Sequence, residues 1–240
     1  MSKMSYSNAS MGSGSRTARR TVEFGRTYVA KSKSIKHIVW LHGLGDNGSS
    51  WSQLLDNLPL PNIKWICPTA PTRPVTALGG FPCAAWFDEG ELSEDGPNDV
   101  EGLDASIAHI ANLLSTEPSD VKLGIGGFSM GAACALYSAA CFAQGRYGNG
   151  SPYPINLKAV VGLSGWLPGA RNLRNKIGGS SDAARRAASS SIRLRREVLP
   201  DDEFSWIPIC FIQKLRRARS LYGPKEMEEV CQWLNARLGA

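Results

Sequence analysis

The chain has 240 residues, of which 42% are apolar and 8% aromatic, and its formal net charge is +6 at pH 7. This length suits one medium-sized domain with a large core, and the lack of any apolar run of 18 residues excludes a transmembrane helix. Residues 1–36 and 184–220 carry net charges of +7 and +5, which leaves −6 for the rest of the chain. A nucleic-acid-binding groove needs basic residues on the folded part, so we expect no nucleic-acid partner.

Residues 1–20 contain many Ser, Gly, Asn and Arg residues and no acidic residue. They have too few apolar side chains to offset the entropy lost on ordering, so we predict a disordered tail before one domain over residues 21–240. The tail shares its lack of acids with organelle transit peptides, but it shows no amphipathic period and no secretory signal. We expect a cytoplasmic protein, with organelle targeting as the alternative.

The first half of the domain is predicted to alternate strands and helices. A buried strand over residues 37–41 ends at the glycines of residues 42–46, and a second strand covers residues 63–67. Residues 51–58 are predicted to form a helix between the two strands. A long loop rich in Pro and Gly is predicted over residues 71–102, and loops of that length in a compact domain are usually functional.

The second half continues this alternation. Residues 100–114 and 130–142 have the spacing and composition of helices, and residues 121–128 and 158–163 those of buried strands. Strands that alternate with helices form a mostly parallel sheet with helices on both faces. The sequence therefore predicts a fold of the α/β class.

One short motif carries the strongest chemical signal. Residues 127–131 (GFSMG) fit the pattern G-x-S-x-G between a strand and a helix. Gly127 and Gly131 have no Cβ, so the strand and the helix can approach closely while the turn raises the Ser129 hydroxyl above the sheet. A chance Gly/Ser turn is the alternative, but both flanking elements are those that the pattern requires. We predict that Ser129 is a catalytic nucleophile.

Acyl transfer also requires hydrogen-bond donors aimed at the developing oxyanion. The amide of Met130 follows the nucleophile at the start of a helix, and the glycine loop over residues 42–46 can supply the amide of Leu44. We predict that these two amides form the oxyanion hole. His42 is interpreted as a residue that orients this loop rather than as a base.

Several segments in this order resemble the acyl-protein thioesterases and small carboxylesterases of the α/β-hydrolase superfamily, and plant members with Met after the nucleophile are the most similar. The segments are residues 40–46 (WLHGLGD), 68–76 (PTAPTRPVT), 86–88 (WFD), 126–131 (GGFSMG) and 163–168 (LSGWLP). The resemblance covers about residues 21–189 and resumes over residues 224–234.

The resemblance implies an α/β-hydrolase fold and a cytosolic serine hydrolase that acts on S-acylated (palmitoylated) proteins, lysophospholipids or small acyl esters. It also implies that the loop over residues 72–92 borders an acyl channel, where Trp86 and Phe87 would bind substrate. Packing of these two rings in the core is the alternative. A peripheral membrane contact stays open, and the oligomeric state is not predicted.

The catalytic base that the resemblance implies has no counterpart in this sequence. Family members carry an Asp in a His-Gly-x-x-Asp stretch and a His in a Gly-His pair before the last helix, which would fall near Ser220. The chain has three histidines, His37, His42 and His109, and all of them precede Ser129. Because a serine nucleophile needs a base and an orienting carboxylate, we expect a weakened hydrolase. The alternative is a non-catalytic acyl-binding or regulatory isoform.

Residues 190–221 diverge from the family and are rich in Arg. Residues 191–195 alternate apolar and polar side chains, unlike a central parallel strand, and Pro208 interrupts the apolar stretch over residues 204–212. We therefore expect a sheet that is incomplete at its C-terminal strands. A retained intron, an altered exon or a frame slip would explain the sharp limits, and Asp201 or Asp202 could replace the acid.

The sequence predicts neither a metal nor a cofactor. Six scattered cysteines form no C-x-x-C pair and are interpreted as reduced thiols, and the histidines lack metal-binding spacing. No dinucleotide-binding or phosphate-binding glycine motif occurs.

Overall fold

The computed structural model describes residues 22–30, 34–90, 99–169, 192–195, 209–212 and 224–238. The predicted tail over residues 1–20 lies outside the described residues, as does most of the divergent segment over residues 190–221, including Asp201, Asp202 and Ser220.

The described residues form nine strands and four α-helices. The strands are β1 (Tyr28–Ala30), β2 (Lys36–Leu41), β3 (Lys64–Cys67), β4 (Thr72–Val75), β5 (Phe81–Ala84), β6 (Lys122–Phe128), β7 (Leu157–Leu163), β8 (Ile192–Arg195) and β9 (Ile209–Ile212). The helices are α1 (Gly48–Asp56), α2 (Val100–Ser115), α3 (Met130–Gln144) and α4 (Pro224–Leu238).

Seven of these strands form one sheet in the order β1-β3-β2-β6-β7-β9-β8. Within this sheet, β1 runs antiparallel to β3, and the other five pairings are parallel. Parallel neighbours require crossover connections, which α1, α2 and α3 supply between β2 and β7. The predicted, mostly parallel α/β architecture is therefore confirmed.

Helices cover both faces of the sheet, which explains why residues 38–41 of β2 are all apolar. Val39 and Leu41 pack into one core with α2 and α3, while Ile38 and Trp40 pack into the other with α1 and α4. Successive side chains of a strand point to opposite faces, so a strand covered on both sides needs apolar residues at every position.

The prediction of a long loop over residues 71–102 is only partly correct. Strands β4 and β5 form a separate antiparallel hairpin, with a 3-10 turn over Thr76–Leu78 at its tip, and α2 begins at Val100. Hairpin formation depends on pairing between residues that are ten positions apart, such as Arg73 and Cys83, and local patterns rich in Pro and Gly do not reveal it.

The expectation of an incomplete sheet is also wrong, because β9 and β8 extend the sheet beyond β7. The apolar strand β9 begins directly after Pro208 and lies between two neighbours, whereas the alternating strand β8 lies at the edge. Among the described strands β8 ends the sheet, where a strand with one polar face is tolerated because it is less covered than a central strand. A proline before the first residue of a strand costs no ladder hydrogen bond.

The start of α1 differs from the prediction by three residues. The helix begins at Gly48 and not at Trp51, because the side chain of Asn47 accepts a hydrogen bond from the Ser50 amide and caps it. None of the described helices has the length and apolar content needed to cross a membrane.

Candidate active site

The turn between β6 and α3 holds Ser129 in a strained backbone conformation. Its φ of 53° and ψ of −118° lie in a region that residues other than Gly rarely adopt, at a cost of about 1–3 kcal/mol. The Ser129 amide donates a 2.8 Å hydrogen bond to the Leu163 carbonyl, and the Ser129 carbonyl accepts one of 3.0 Å from the Ala133 amide. The surrounding structure thus holds the strained residue, and its side chain stays partly exposed.

The two glycines of the motif are required by close backbone contacts. A Cβ on Gly127 would overlap the Gly131 carbonyl, and a Cβ on Gly131 would overlap the carbonyls of Leu41 and His42. Strand β6, helix α3 and the end of β2 therefore approach one another more closely than any other residue type allows. This packing agrees with the physical reason given for the motif from the sequence.

The glycine loop after β2 lies directly against Ser129. A Cβ on Gly43 would lie 3.5 Å from the Cβ of Ser129. The amide of Gly45 donates to the Ala84 carbonyl (2.9 Å), whereas the Leu44 amide donates to no residue within the part of the chain that the structure describes. The Met130 amide begins α3, where the first four amides of a helix have no partner within the helix. Both amides predicted for the oxyanion hole are thus available as donors.

His42 is buried and uses both ring nitrogens to hold the backbone around this loop. Its Nε2 accepts a 2.9 Å hydrogen bond from the Ala70 amide, and its Nδ1 donates to the Gly43 carbonyl at 2.7 Å. Since Nε2 is an acceptor, the proton resides on Nδ1. Burial lowers the pKa of His42, which keeps the ring neutral. A ring bonded in this way orients the loop and cannot accept a proton from Ser129.

The other two histidines make their contacts with residues other than Ser129. His37 pairs with Leu123 across the sheet, six residues before Ser129, which corresponds to about 20 Å along a strand. It is buried, and its Nδ1 lies against the carboxylate of Glu117, which also binds Lys64.

His109, interpreted from the sequence as a helix-surface residue, is instead half-buried. Its ring stacks on Phe24 with the ring centroids 3.8 Å apart, and burial lowers its pKa. None of the contacts that His37 and His109 make among the described residues reaches Ser129.

Trp86 and Phe87 are fully buried in the core formed with α2 and α3. The indole of Trp86 donates a 2.9 Å hydrogen bond to the His42 carbonyl, and Phe87 packs edge-on against Trp166. Trp86 thus supports the glycine loop from below. Contact of either ring with an acyl chain stays a prediction.

Two features of this region were missed from the sequence. Ser164 has a φ of 49° and follows Leu163, the register partner of Phe128, so it neighbours Ser129 on the next strand. The carboxylate of Asp46, at the end of the glycine loop, accepts a 2.9 Å hydrogen bond from the Trp51 indole. No local sequence signal marks the strain at Ser164. An Asp five residues before a Trp at a helix start could have suggested the contact between Asp46 and Trp51.

The β4–β5 hairpin is fastened beside the glycine loop. Asp88 accepts hydrogen bonds from the amide and the hydroxyl of Thr76 (2.8 and 2.7 Å), and the first of these is the main reason that its pKa is lowered. Together with the bond from Gly45 to Ala84, these contacts tie the hairpin to the site. The described residues contain no group of three or more His, Cys, Asp or Glu side chains suited to a metal ion.

Comparison with known proteins gives consistent matches. Residues 26–183 match the profile of the phospholipase/carboxylesterase family. The crystal structure of Zea mays acyl-protein thioesterase 2 is similar with a TM-score of 0.78 and 57% sequence identity, covering 90% of this chain and all of that one.

Two curated relatives match over a shorter span. Acyl-protein thioesterase 1 of Schizosaccharomyces pombe is 35% identical over 137 residues, which cover 55% of this chain and 56% of the relative. Acyl-protein thioesterase 1 homolog 1 of Dictyostelium discoideum is 33% identical over 139 residues, which cover 55% of this chain and 57% of the relative. The chain thus spans little more than half the length of these two relatives.

Proposed function

Because the chain belongs to the phospholipase/carboxylesterase family and has its α/β-hydrolase fold, we propose that it is a serine hydrolase of acyl thioesters and esters that acts through Ser129. The observation that carries the proposal is the strained, partly exposed Ser129, which lies against Gly43 of the glycine loop. The relatives are acyl-protein thioesterases by name, which supports S-acylated proteins or small acyl esters as substrates. A cytoplasmic location is part of the proposal on the basis of the sequence alone.

The proposed reaction is an acyl transfer in two steps. The Ser129 hydroxyl attacks the acyl carbonyl, and the amides of Leu44 and Met130 donate hydrogen bonds to the oxyanion that forms. Collapse of this intermediate expels a thiol or an alcohol and leaves the acyl group on Ser129. Water then attacks this ester, and the released carboxylic acid restores the serine.

We further propose that this hydrolase is weakened. Both ring nitrogens of His42 are engaged with the backbone, and the observed contacts of His37 and His109 do not include Ser129. In enzymes of this type, the oxyanion hole and substrate binding alone retain roughly 10³–10⁴-fold acceleration over water. A much lower turnover than in family members with a complete triad is the expected consequence.

The β4–β5 hairpin supports a peripheral contact with a membrane, where S-acylated proteins reside. Its tip exposes two large apolar side chains, Leu78 and Phe81, which are 47% and 66% exposed. Apolar side chains at the tip of a fastened hairpin suit shallow insertion between lipid headgroups.

The lack of a base favours a second function, an acyl-binding or regulatory isoform that does not turn substrate over. A fluorophosphonate probe and a p-nitrophenyl ester separate the two. Slow labelling and slow turnover that both disappear in Ser129→Ala support the weakened hydrolase. Fatty-acid binding without any labelling supports the isoform, and turnover at an ordinary esterase rate that depends on Ser129 contradicts the proposed weakening.

A further inference from the structure

Asp46 and Trp51 connect the three segments that make up the proposed site. Asp46 ends the glycine loop, and its carboxylate accepts hydrogen bonds from the Trp51 indole (2.9 Å) and from the Asn47 amide (2.8 Å). Trp51 lies in the first turns of α1 and is buried, with 5% of its surface exposed. A hydrogen bond to a carboxylate is stronger than one between neutral groups, so this contact is well suited to hold the loop.

The ring of Trp51 also contacts the residue that precedes the nucleophile. Its centroid lies 5.7 Å from that of Phe128 and 5.3 Å from that of Trp40. Phe128 in turn lies under the glycine loop, since a Cβ on Gly43 would lie 3.1 Å from its Cδ1. Asp46 therefore contacts Trp51, Trp51 contacts Phe128, and Phe128 contacts Gly43, so this series of contacts begins and ends in the glycine loop.

Leu44 lies in the chain between Gly43 and Asp46, the two loop residues that these contacts hold. Loop residues on both sides of it are fixed, His42 by its ring and Gly45 by the Ala84 carbonyl. Within the described residues, the bond from Trp51 to Asp46 is the only hydrogen bond between side chains that joins the loop over residues 42–46 to α1. A displacement of this end of the loop would move the Leu44 amide relative to Ser129.

We propose that Asp46 and Trp51 are positioning residues, which set the distance between the Leu44 amide and the nucleophile through Phe128. This inference rests on the proposed function of Ser129 and deepens it. Catalytic donors act over a narrow range of distance, and a misplacement of about 1 Å can cost as much as about 100-fold in rate.

The test compares two substitutions in one aromatic cluster. Trp51→Phe keeps a ring and removes the indole N–H that binds Asp46. Trp40→Phe makes the same change at a buried ring whose N–H has no hydrogen-bond partner among the described residues. Both variants lose similar volume, so they are matched for packing.

The first readout is the rate of fluorophosphonate labelling at Ser129, at a temperature where both variants are folded. We expect labelling of Trp51→Phe to be about tenfold slower than that of Trp40→Phe, with the affinity for a fatty acid equal in the two. Asp46→Asn, which keeps one acceptor oxygen, is expected to label faster than Asp46→Ala. Equal labelling of the two ring variants would overturn the inference.

The second readout needs no reactive serine. Hydrogen–deuterium exchange over residues 42–47 is expected to be faster in Trp51→Phe than in Trp40→Phe. If the wild-type chain labels no more than Ser129→Ala, the proposed hydrolase function fails, and exchange alone decides the positioning role. Equal exchange in the two variants would then contradict that role.

Discussion

The Nε2 atom of His42 accepts a hydrogen bond from the Ala70 amide, 28 residues further along the chain, at 2.9 Å. This bond joins the glycine loop to the segment that follows β3. It also explains why the fully buried His42 is a structural residue, since its basic nitrogen is already occupied.

Replacement of His42 by Phe is expected to destabilise the protein by about 1–3 kcal/mol, because the Ala70 amide would stay buried without an acceptor. Thermal unfolding measures the change. His109→Phe is the control, since the His109 Nε2 has no hydrogen-bond partner among the described residues. A similar loss in both variants would show that the bond to Ala70 is not the cause.

Stability is expected to fall as the pH drops below the ordinary histidine pKa of 6.5, because burial lowers the pKa values of His42 and His109. A group with a lowered pKa binds fewer protons in the folded state, so protonation favours the unfolded chain. The stabilising contribution is complete above 6.5 and is lost as the pH passes through the folded-state values. Melting temperatures measured from about pH 8 to about pH 5 cover this window.

The double variant His42→Gln, His109→Gln should flatten this decline, even if it is less stable at neutral pH. An unchanged slope in the double variant would assign the decline to other groups.

Ser129→Gly is expected to be more stable than Ser129→Ala by about 1–2 kcal/mol, although both remove the hydroxyl. Glycine adopts the observed φ of 53° without strain, whereas alanine retains the strain of serine. Denaturant unfolding of the two variants measures the difference directly. Equal stabilities would mean that the turn relaxes, and the strain would then be no part of the site.

Gly131→Ala is expected to prevent stable folding or to cost more than about 3 kcal/mol, because its Cβ would overlap backbone carbonyls of β2 that cannot move away. Gly145→Ala serves as the control. Gly145 has a φ of 66° with open space around it, so alanine there adds only local strain of about 1 kcal/mol. Similar losses at both positions would contradict the close packing of α3 on β2.

Added imidazole is expected to accelerate ester turnover by the wild-type chain more than by Ser129→Ala. An external base can replace the missing histidine because a general base contributes roughly 10²–10⁴-fold in such reactions. The rate with p-nitrophenyl acetate is measured against imidazole concentration, with the reaction of imidazole alone subtracted. An equal response in Ser129→Ala would indicate that the serine is not the group activated.

Local sequence features predicted much of the site. The pattern over residues 127–131 located the strained turn, and the apolar runs over residues 37–41 and 121–128 located the two strands that present it. These features could be predicted from the sequence because they depend on contacts between residues close together in the chain, such as the approach of Gly127 to Gly131.

The amino-acid sequence by itself determined that Ser129 lies on a turn between a buried strand and a helix, and that three histidines precede it. Only the tertiary structure decided that Trp86 is buried beneath the His42 carbonyl, that β4 and β5 pair, and that the alternating strand β8 lies at the edge. These outcomes depend on contacts between residues far apart in the chain. Their geometry is set when the whole core packs, and no local pattern encodes it.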